Sequence, residues 1–168
     1  MFASFVRVFL LTANRLTSIL PSSYFYGTKR NFYRIGGCEI GQGVKFNNNV
    51  KIVYKNIEIG SESWIGRDVL LYSSSQGRIR IGKNNDFAPR VLLNTGTHVI
   101  GDNARRAGKP IAADILIGNG CWIGMGAIIL SGTKVGDGCI IAAGAVVKGE
   151  FPENVLIAGV PAVIKRKL

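Results

Sequence analysis

Residues 117–147, IGNGCWIGMGAIILSGTKVGDGCIIAAGAVV, place a large aliphatic side chain at every sixth position: Ile117, Ile123, Ile129, Val135, Ile141 and Val147. A helix repeats at 3.6 residues and a plain strand at 2, so neither produces a period of six. Six residues suit a short strand followed by a turn. The small residue beside the large one (Gly118, Gly124, Gly136, Ala142) suits a crowded corner. Toward the N-terminus the series continues as Ile81, Phe87, Leu93; Ile59, Ile65, Leu71; and Ile40, Phe46, Ile52. Three units make a triangular coil of 18 residues, the separation of Ile117 from Val135. Coils stack at parallel-strand spacing, ~4.8 Å, so about five coils give a prism about 24 Å tall. The expected fold is all-β, a parallel β-helix with the aliphatic ladder inside.

Four residues after each ladder position comes a modest side chain such as Val44, Val50, Ser63, Val69, Val91, Ala127, Thr133 or Ala145; Asn56 and Asn85 depart from the pattern. Cys121 and Cys139 fall at this position 18 residues apart, which reads as two stacked ladder residues rather than a redox pair. The interruptions are equally informative. Leu71 to Ile81 is ten residues, so Ser73–Arg78 bulges outward, and Leu93 to Ile117 is 24, an excess of 18. The inserted loop 94–114, NTGTHVIGDNARRAGKPIAAD, holds the only histidine, His98. A solenoid can expel a long segment at a corner without disturbing its core, and such insertions commonly form the binding face.

Composition excludes other classes. Glycine is 22 of 168 residues, about 13% against a usual ~7%, with neither the period nor the proline of collagen. Three cysteines are too few for a disulfide scaffold and point to a reducing compartment. One histidine and no CxxC pair argue against a metal site. The net charge of +11 comes without any helix-turn-helix, zinc or RNP-type signature, so nucleic acid is not the expected partner.

Residues 1–34 carry five bases (Arg7, Arg15, Lys29, Arg30, Arg34), no acid, and 8 of the 15 aromatic residues. Residues 2–20 fit an amphipathic helix through Phe2, Phe5, Val6, Phe9, Leu10, Ala13, Leu16 and Leu20, ended by Pro21. Arg7, Asn14 and Arg15 break it as a membrane span, and it lacks the basic n-region and small-residue cleavage site of a signal peptide, so a cytoplasmic protein is expected. Two readings stay open: packing on its own domain or a neighbouring subunit, or peripheral contact with an anionic membrane. The expected domains are a basic aromatic segment 1–34, a β-helix 35–155 with its inserted loop, and a basic C-terminal tail 156–168.

The run 117–164, with W-I-G at 122–124, A-A-G-A-V-V at 142–147 and A-G-V-P-A at 158–162, closely resembles the hexapeptide-repeat acyltransferases. Within them it is similar to the acetyl-CoA-dependent sugar O-acetyltransferase and xenobiotic acetyltransferase branch. That resemblance, over about residues 35–168, implies a left-handed coil and a homotrimer with active sites between subunits. It implies acetyl-CoA as co-substrate and no metal. His98 corresponds to the loop histidine that acts as general base on an acceptor hydroxyl, chemistry that suits an imidazole. Gly124 and Met125 correspond to the corner that supplies an oxyanion donor, and Trp122 to a wall of the same cleft, although Trp122 also reads as ordinary packing.

The resemblance further implies that backbone groups at Ala142, Ala143 and Gly144 hold the pantetheine arm. Lys148 and Arg166 would meet the phosphates, with Lys165 and Lys167 as tail cations. Lys148 stands where relatives often have Thr, and Val163 where many have a base, so the phosphate contacts are less defined. Asp68 falls near a position where sugar acetyltransferases bind their acceptor through Asn, Asn94 is a further substrate candidate, and Arg105 and Arg106 could grip an acidic or phosphorylated acceptor or equally just order the loop. The acid that orients the loop histidine in some relatives has no clear counterpart; Asp102 or a carbonyl could serve. The expected function is acetyl transfer to a hydroxyl of a sugar, polysaccharide precursor or glycolipid. An acyl-carrier-protein-dependent acyltransferase, which would carry a long C-terminal helical extension, and a non-catalytic scaffold are the alternatives. A zinc-dependent carbonic anhydrase would need three histidines, and a nucleotidyltransferase fusion would need a further domain.

Overall fold

The computed structural model describes residues 2–21 and 24–168, with side chains from Val8 onward. The apolar positions Phe2, Phe5 and Val6, and Arg7, therefore have side chains outside the described residues. Two helices come first, α1 (Phe2–Ile19) and α2 (Tyr26–Ile35). Three stacked faces of short parallel strands follow. The first face holds β1 (Glu39–Ile40), β4 (Ile57–Ile59), β7 (Ile79–Ile81), β12 (Ile115–Ile117), β15 (Lys134–Val135) and β18 (Glu150–Phe151). The second holds β2 (Lys45–Phe46), β5 (Trp64–Ile65), β8 (Asp86–Phe87), β13 (Trp122–Ile123), β16 (Ile140–Ile141), β19 (Val155–Gly159) and β20 (Ala162–Lys167). The third holds β3 (Lys51–Val53), β6 (Leu70–Tyr72), β9 (Leu92–Asn94), β14 (Ile128–Leu130) and β17 (Val146–Val147). Two further strands, β10 (Gly96–Ile100) and β11 (Ala107–Ala112), pair only with each other. The fold is a left-handed parallel β-helix.

The hexad series is the core. Ile40, Ile59, Ile81, Ile117 and Val135 align in register up the first face, and Phe46, Ile65, Phe87, Ile123 and Ile141 up the second. Ile52, Leu71, Leu93, Ile129 and Val147 align up the third, and all fifteen side chains are buried. Cys121 and Cys139 are buried and free, and burial pushes the Cys121 thiol up to about 11. Asn85, one of the two exceptions in the pattern, is fully buried and satisfied across coils. Its Nδ2 donates to the Gly118 carbonyl at 2.9 Å, and its Oδ1 accepts from Cys121 N–H at 2.7 Å.

The stack has about six turns rather than five. The sixth begins at Phe151, which pairs with Val135, while Ile157 pairs with Ile141. Val147 to Phe151 is only four residues, so the corner contracts and the period of six loses its place. The stretch expected as a basic tail carries most of β19 and all of β20, which turns back antiparallel on β19.

At the other end α1 and α2 cover the first coil. Tyr33 is fully buried, its ring 4.9 Å from that of Phe46, and its hydroxyl donates to the Val50 carbonyl at 2.9 Å. The Asn14 side chain bonds both backbone groups of Ile52, at 2.9 and 3.0 Å, and so closes an otherwise open strand edge. Lys29 is buried beneath α2, its Nζ donating to the Pro21 carbonyl and to Asn48 Oδ1, and desolvation lowers its pKa. The buried face of α1 is Leu10, Ala13 and Thr17; Leu16, expected to face inward, is exposed.

Candidate functional site

The insertion 94–114 is a two-stranded arm rather than an irregular loop. Gly96 pairs with Ala112, Thr97 with Ile111 and His98 with Pro110, and the register shifts between His98 and Ile100. The two strands approach closely, since a Cβ on Gly108 would lie 2.9 Å from the Val99 carbonyl oxygen. The arm is fastened where it leaves the stack. Ser131 Oγ donates to the Thr95 carbonyl at 2.7 Å and accepts from Ala113 N–H at 3.0 Å, and Ala113 N–H also reaches Thr95 O at 3.1 Å.

His98 is exposed on β10, and its Nδ1 lies 2.9 Å from the Gly108 carbonyl oxygen. A carbonyl only accepts, so Nδ1 carries the proton and Nε2 presents its lone pair outward. The group that holds the ring is therefore the Gly108 carbonyl. Asp102 closes the tip of the arm instead, its Oδ1 accepting from the N–H groups of Ala104 and Arg105, both at 3.0 Å. Arg105 and Arg106 are exposed near the tip, and Arg106 Nη1 reaches the Gly101 carbonyl at 3.4 Å.

A cavity of about 740 Å³ lies between the arm and the bulge after β6. His98, Asn94, Thr97 and Lys109 line one side, and Tyr72, Ser74, Ser75 and Gln76 the other; none of its lining residues is acidic. That size accommodates a small polar ligand. Of the candidates read from sequence, only His98 and Asn94 line this cavity, and Asn94 Oδ1 also accepts from Gly96 N–H at 2.9 Å.

The remaining candidates gather elsewhere. The arm leaves the prism between the third and first faces, while Asp68, Met125 and Ala143 lie on the corner between the second and third, Asp68 in line with Gly126 and Gly144. At that corner Gly124, Met125, Gly126 and Ala127 form a type II turn. Gly126 has φ +69° and Ala127 N–H bonds the Gly124 carbonyl at 3.2 Å. The Gly124 N–H is committed to the Ile141 carbonyl at 2.7 Å, whereas the Met125 N–H bonds no described residue. One coil on, the same turn recurs at 142–145. Ala142 N–H donates to Ile157 O and Gly144 N–H to Met125 O, and Ala143 keeps both backbone groups free of partners among the described residues.

Trp122 is 58% exposed and so is not packed into the coil. Asp68 has φ +60° and accepts from Asn49 Nδ2 at 2.7 Å. Lys148 and Arg166 are exposed, Arg166 on β20 beside Leu156. Among the described residues no group of three His, Cys, Asp or Glu side chains could hold a metal, and no helix is long and apolar enough to cross a membrane.

Residues 114–149 match the family model described as bacterial transferase hexapeptide (six repeats). Over 135 residues the chain is 34% identical to the putative colanic acid biosynthesis acetyltransferase WcaF of Escherichia coli, covering 80% of this chain and 71% of that one. The chain belongs to the hexapeptide-repeat acetyltransferase family. This hexapeptide-repeat acetyltransferase superposes on a galactoside acetyltransferase in complex with coenzyme A with a TM-score of 0.80. The identity is 26%, over 98% of this chain and 82% of that one. An acetyltransferase from Vibrio cholerae, VCA0836, reaches a TM-score of 0.88 at 22% identity over 100% and 93% of the two chains, a likeness of fold alone.

Sequence reading missed Tyr72, Ser74–Gln76, Thr97 and Lys109 as cavity residues and Ser131 as the fastening of the arm. The bulge at 73–78 was visible in the spacing, but nothing in the spacing says which way it leans.

Proposed function

We propose that this protein transfers an acetyl group from acetyl-CoA to a hydroxyl of a sugar or a polysaccharide or glycolipid precursor, with His98 as the general base. The observation that carries this is the 2.9 Å contact of His98 Nδ1 with the Gly108 carbonyl, which leaves Nε2 as the free basic nitrogen. Nε2 takes the proton of the acceptor hydroxyl as the oxygen attacks the thioester carbonyl carbon. The Met125 N–H, unpartnered among the described residues, would receive the developing oxyanion. The C–S bond then breaks, and the imidazolium returns the proton to the departing coenzyme A sulfur.

The two halves of this machinery stand on different corners of one chain, which favours a homotrimer in which the arm of one protomer faces the Met125 corner of the next. On that corner the free backbone groups of Ala143 would hold the pantetheine arm, and Trp122 would wall the cleft. Lys148 and Arg166 would meet the phosphates. The galactoside acetyltransferase bound to coenzyme A supports this donor and acceptor class. The cavity, lined by the Tyr72, Ser74, Ser75 and Thr97 hydroxyls and by no acid, supports a sugar, with Asn94 as an acceptor ligand.

The test is thiol release from acetyl-CoA with a panel of sugars. His98→Ala should lower kcat by about 10²–10⁴ while acetyl-CoA still raises the Tm of the variant. Equal turnover by both proteins would reject the reading.

A further inference from the structure

We propose that the outward face of α1, at the capped end of the prism, docks this protein onto an anionic lipid bilayer. Opposite the buried Leu10, Ala13 and Thr17, the helix presents Val8, Leu11 and Ile19 along one stripe, with Arg15 among them and Leu16 at its flank. Leu11 is 58% and Ile19 80% exposed, and the connection to α2 adds exposed Tyr24 and Phe25. The polar residues of this surface are already satisfied within the helix. Thr12 Oγ1 donates to the Phe9 carbonyl and Ser18 Oγ to the Arg15 carbonyl, both at 2.7 Å, so neither brings an unpaired hydroxyl into an apolar layer.

Charge selects the occupant. Residues 1–57 hold eight bases, of which Lys29 is buried, and one acid, Glu39, so 8 − 1 = +7 of the total +11 lies in the first third of the chain. That single acid already faces Arg78 at 3.7 Å. Two copies meeting through this end would set like charges against each other, whereas an anionic headgroup layer complements them. An apolar stripe that carries a base, here Arg15, is the form of helix that lies in a membrane interface without spanning it. Nucleic acid would satisfy the charge and leave the stripe of Val8, Leu11 and Ile19 unused.

The test is flotation of the full chain with vesicles of phosphatidylcholine mixed with phosphatidylglycerol, and with vesicles of phosphatidylcholine alone. The wild type should float with the mixed vesicles, release in high salt, and stay behind with the neutral ones. The double variant Leu11→Glu, Ile19→Glu should lose binding by about tenfold or more, with unchanged Tm because both side chains are exposed. Arg15→Ala should weaken binding roughly fivefold, and it keeps the test open if the double variant fails to fold. No flotation of the wild type, equal binding to neutral vesicles, or undiminished binding by the variants would overturn the proposal. So would a change in oligomeric state of the double variant, which would make this face a contact between copies.

Discussion

Replacing Met125 by proline deletes one hydrogen-bond donor and little else. Met125 is the second residue of the type II turn 124–127, a position at which proline is favoured, and Gly124 before it tolerates the restriction proline imposes. The Met125 N–H makes no bond within the described structure, so nothing in the coil is broken by its loss. Proline at a compatible turn stabilises by about 0.4–1 kcal/mol through the unfolded chain, so the Tm should hold or rise slightly. If the N–H meets the oxyanion, its removal should cost about 10²–10³ in kcat, or about 2.7–4 kcal/mol of transition-state stabilisation. Met125→Ala keeps the N–H and should stay within a few-fold of wild type. Both are measured as thiol release at saturating acetyl-CoA, with KM and Tm recorded in parallel. A proline variant with wild-type kcat, or an alanine variant as poor as the proline one, would refute the assignment.

Other outcomes follow from the core and the arm. Phe87→Ala should cost about 3–5 kcal/mol in urea unfolding, because a fully buried ring in the middle of the stack leaves a cavity between the Ile65 and Ile123 layers. Ser131→Ala removes the hydroxyl shared by Thr95 and Ala113, which keep their own 3.1 Å bond, so stability should fall by only about 1 kcal/mol. Its kcat should fall about tenfold as the arm loosens, with KM for acetyl-CoA unmoved. Cys121 should be inert to thiol reagents until the chain unfolds. Its folded pKa of about 11 lies above the ordinary 9.0, so the folded state keeps its proton where the unfolded state has lost it. The stability of wild type relative to Cys121→Ala should therefore decline as pH rises from about 9 to about 11, and is read by urea titration.

The ladder was legible because a strict period admits one geometry. Fifteen side chains recurring at six residues fix strand, corner and stacking together, and the two long breaks, Leu71 to Ile81 and Leu93 to Ile117, marked real excursions. The sixth coil escaped because its first corner shortens to four residues, the gap from Val147 to Phe151. Helix α2 was not expected, since YGTKRNFYRI has weak helix propensity and is held by tertiary contacts of Tyr33 and Lys29. His98 was legible as a lone imidazole in an inserted segment, but the group that orients it is a backbone carbonyl, which has no residue type to recognise. The same holds for the corner. The letters Gly124 and Met125 mark it, and only the hydrogen bonds tell which N–H is spent on the coil and which is free.

The junction of the arm with the stack has a bearing on how such proteins diversify. Thr95 and Ala113 are joined by a 3.1 Å hydrogen bond, so the chain departs and returns at nearly one point, and the intervening residues add no displacement to the coils. Closing a longer excursion costs only about 0.6 kcal/mol per doubling of its length. Lineages can thus lengthen, shorten or rewrite this appendage while the solenoid beneath goes on folding as before.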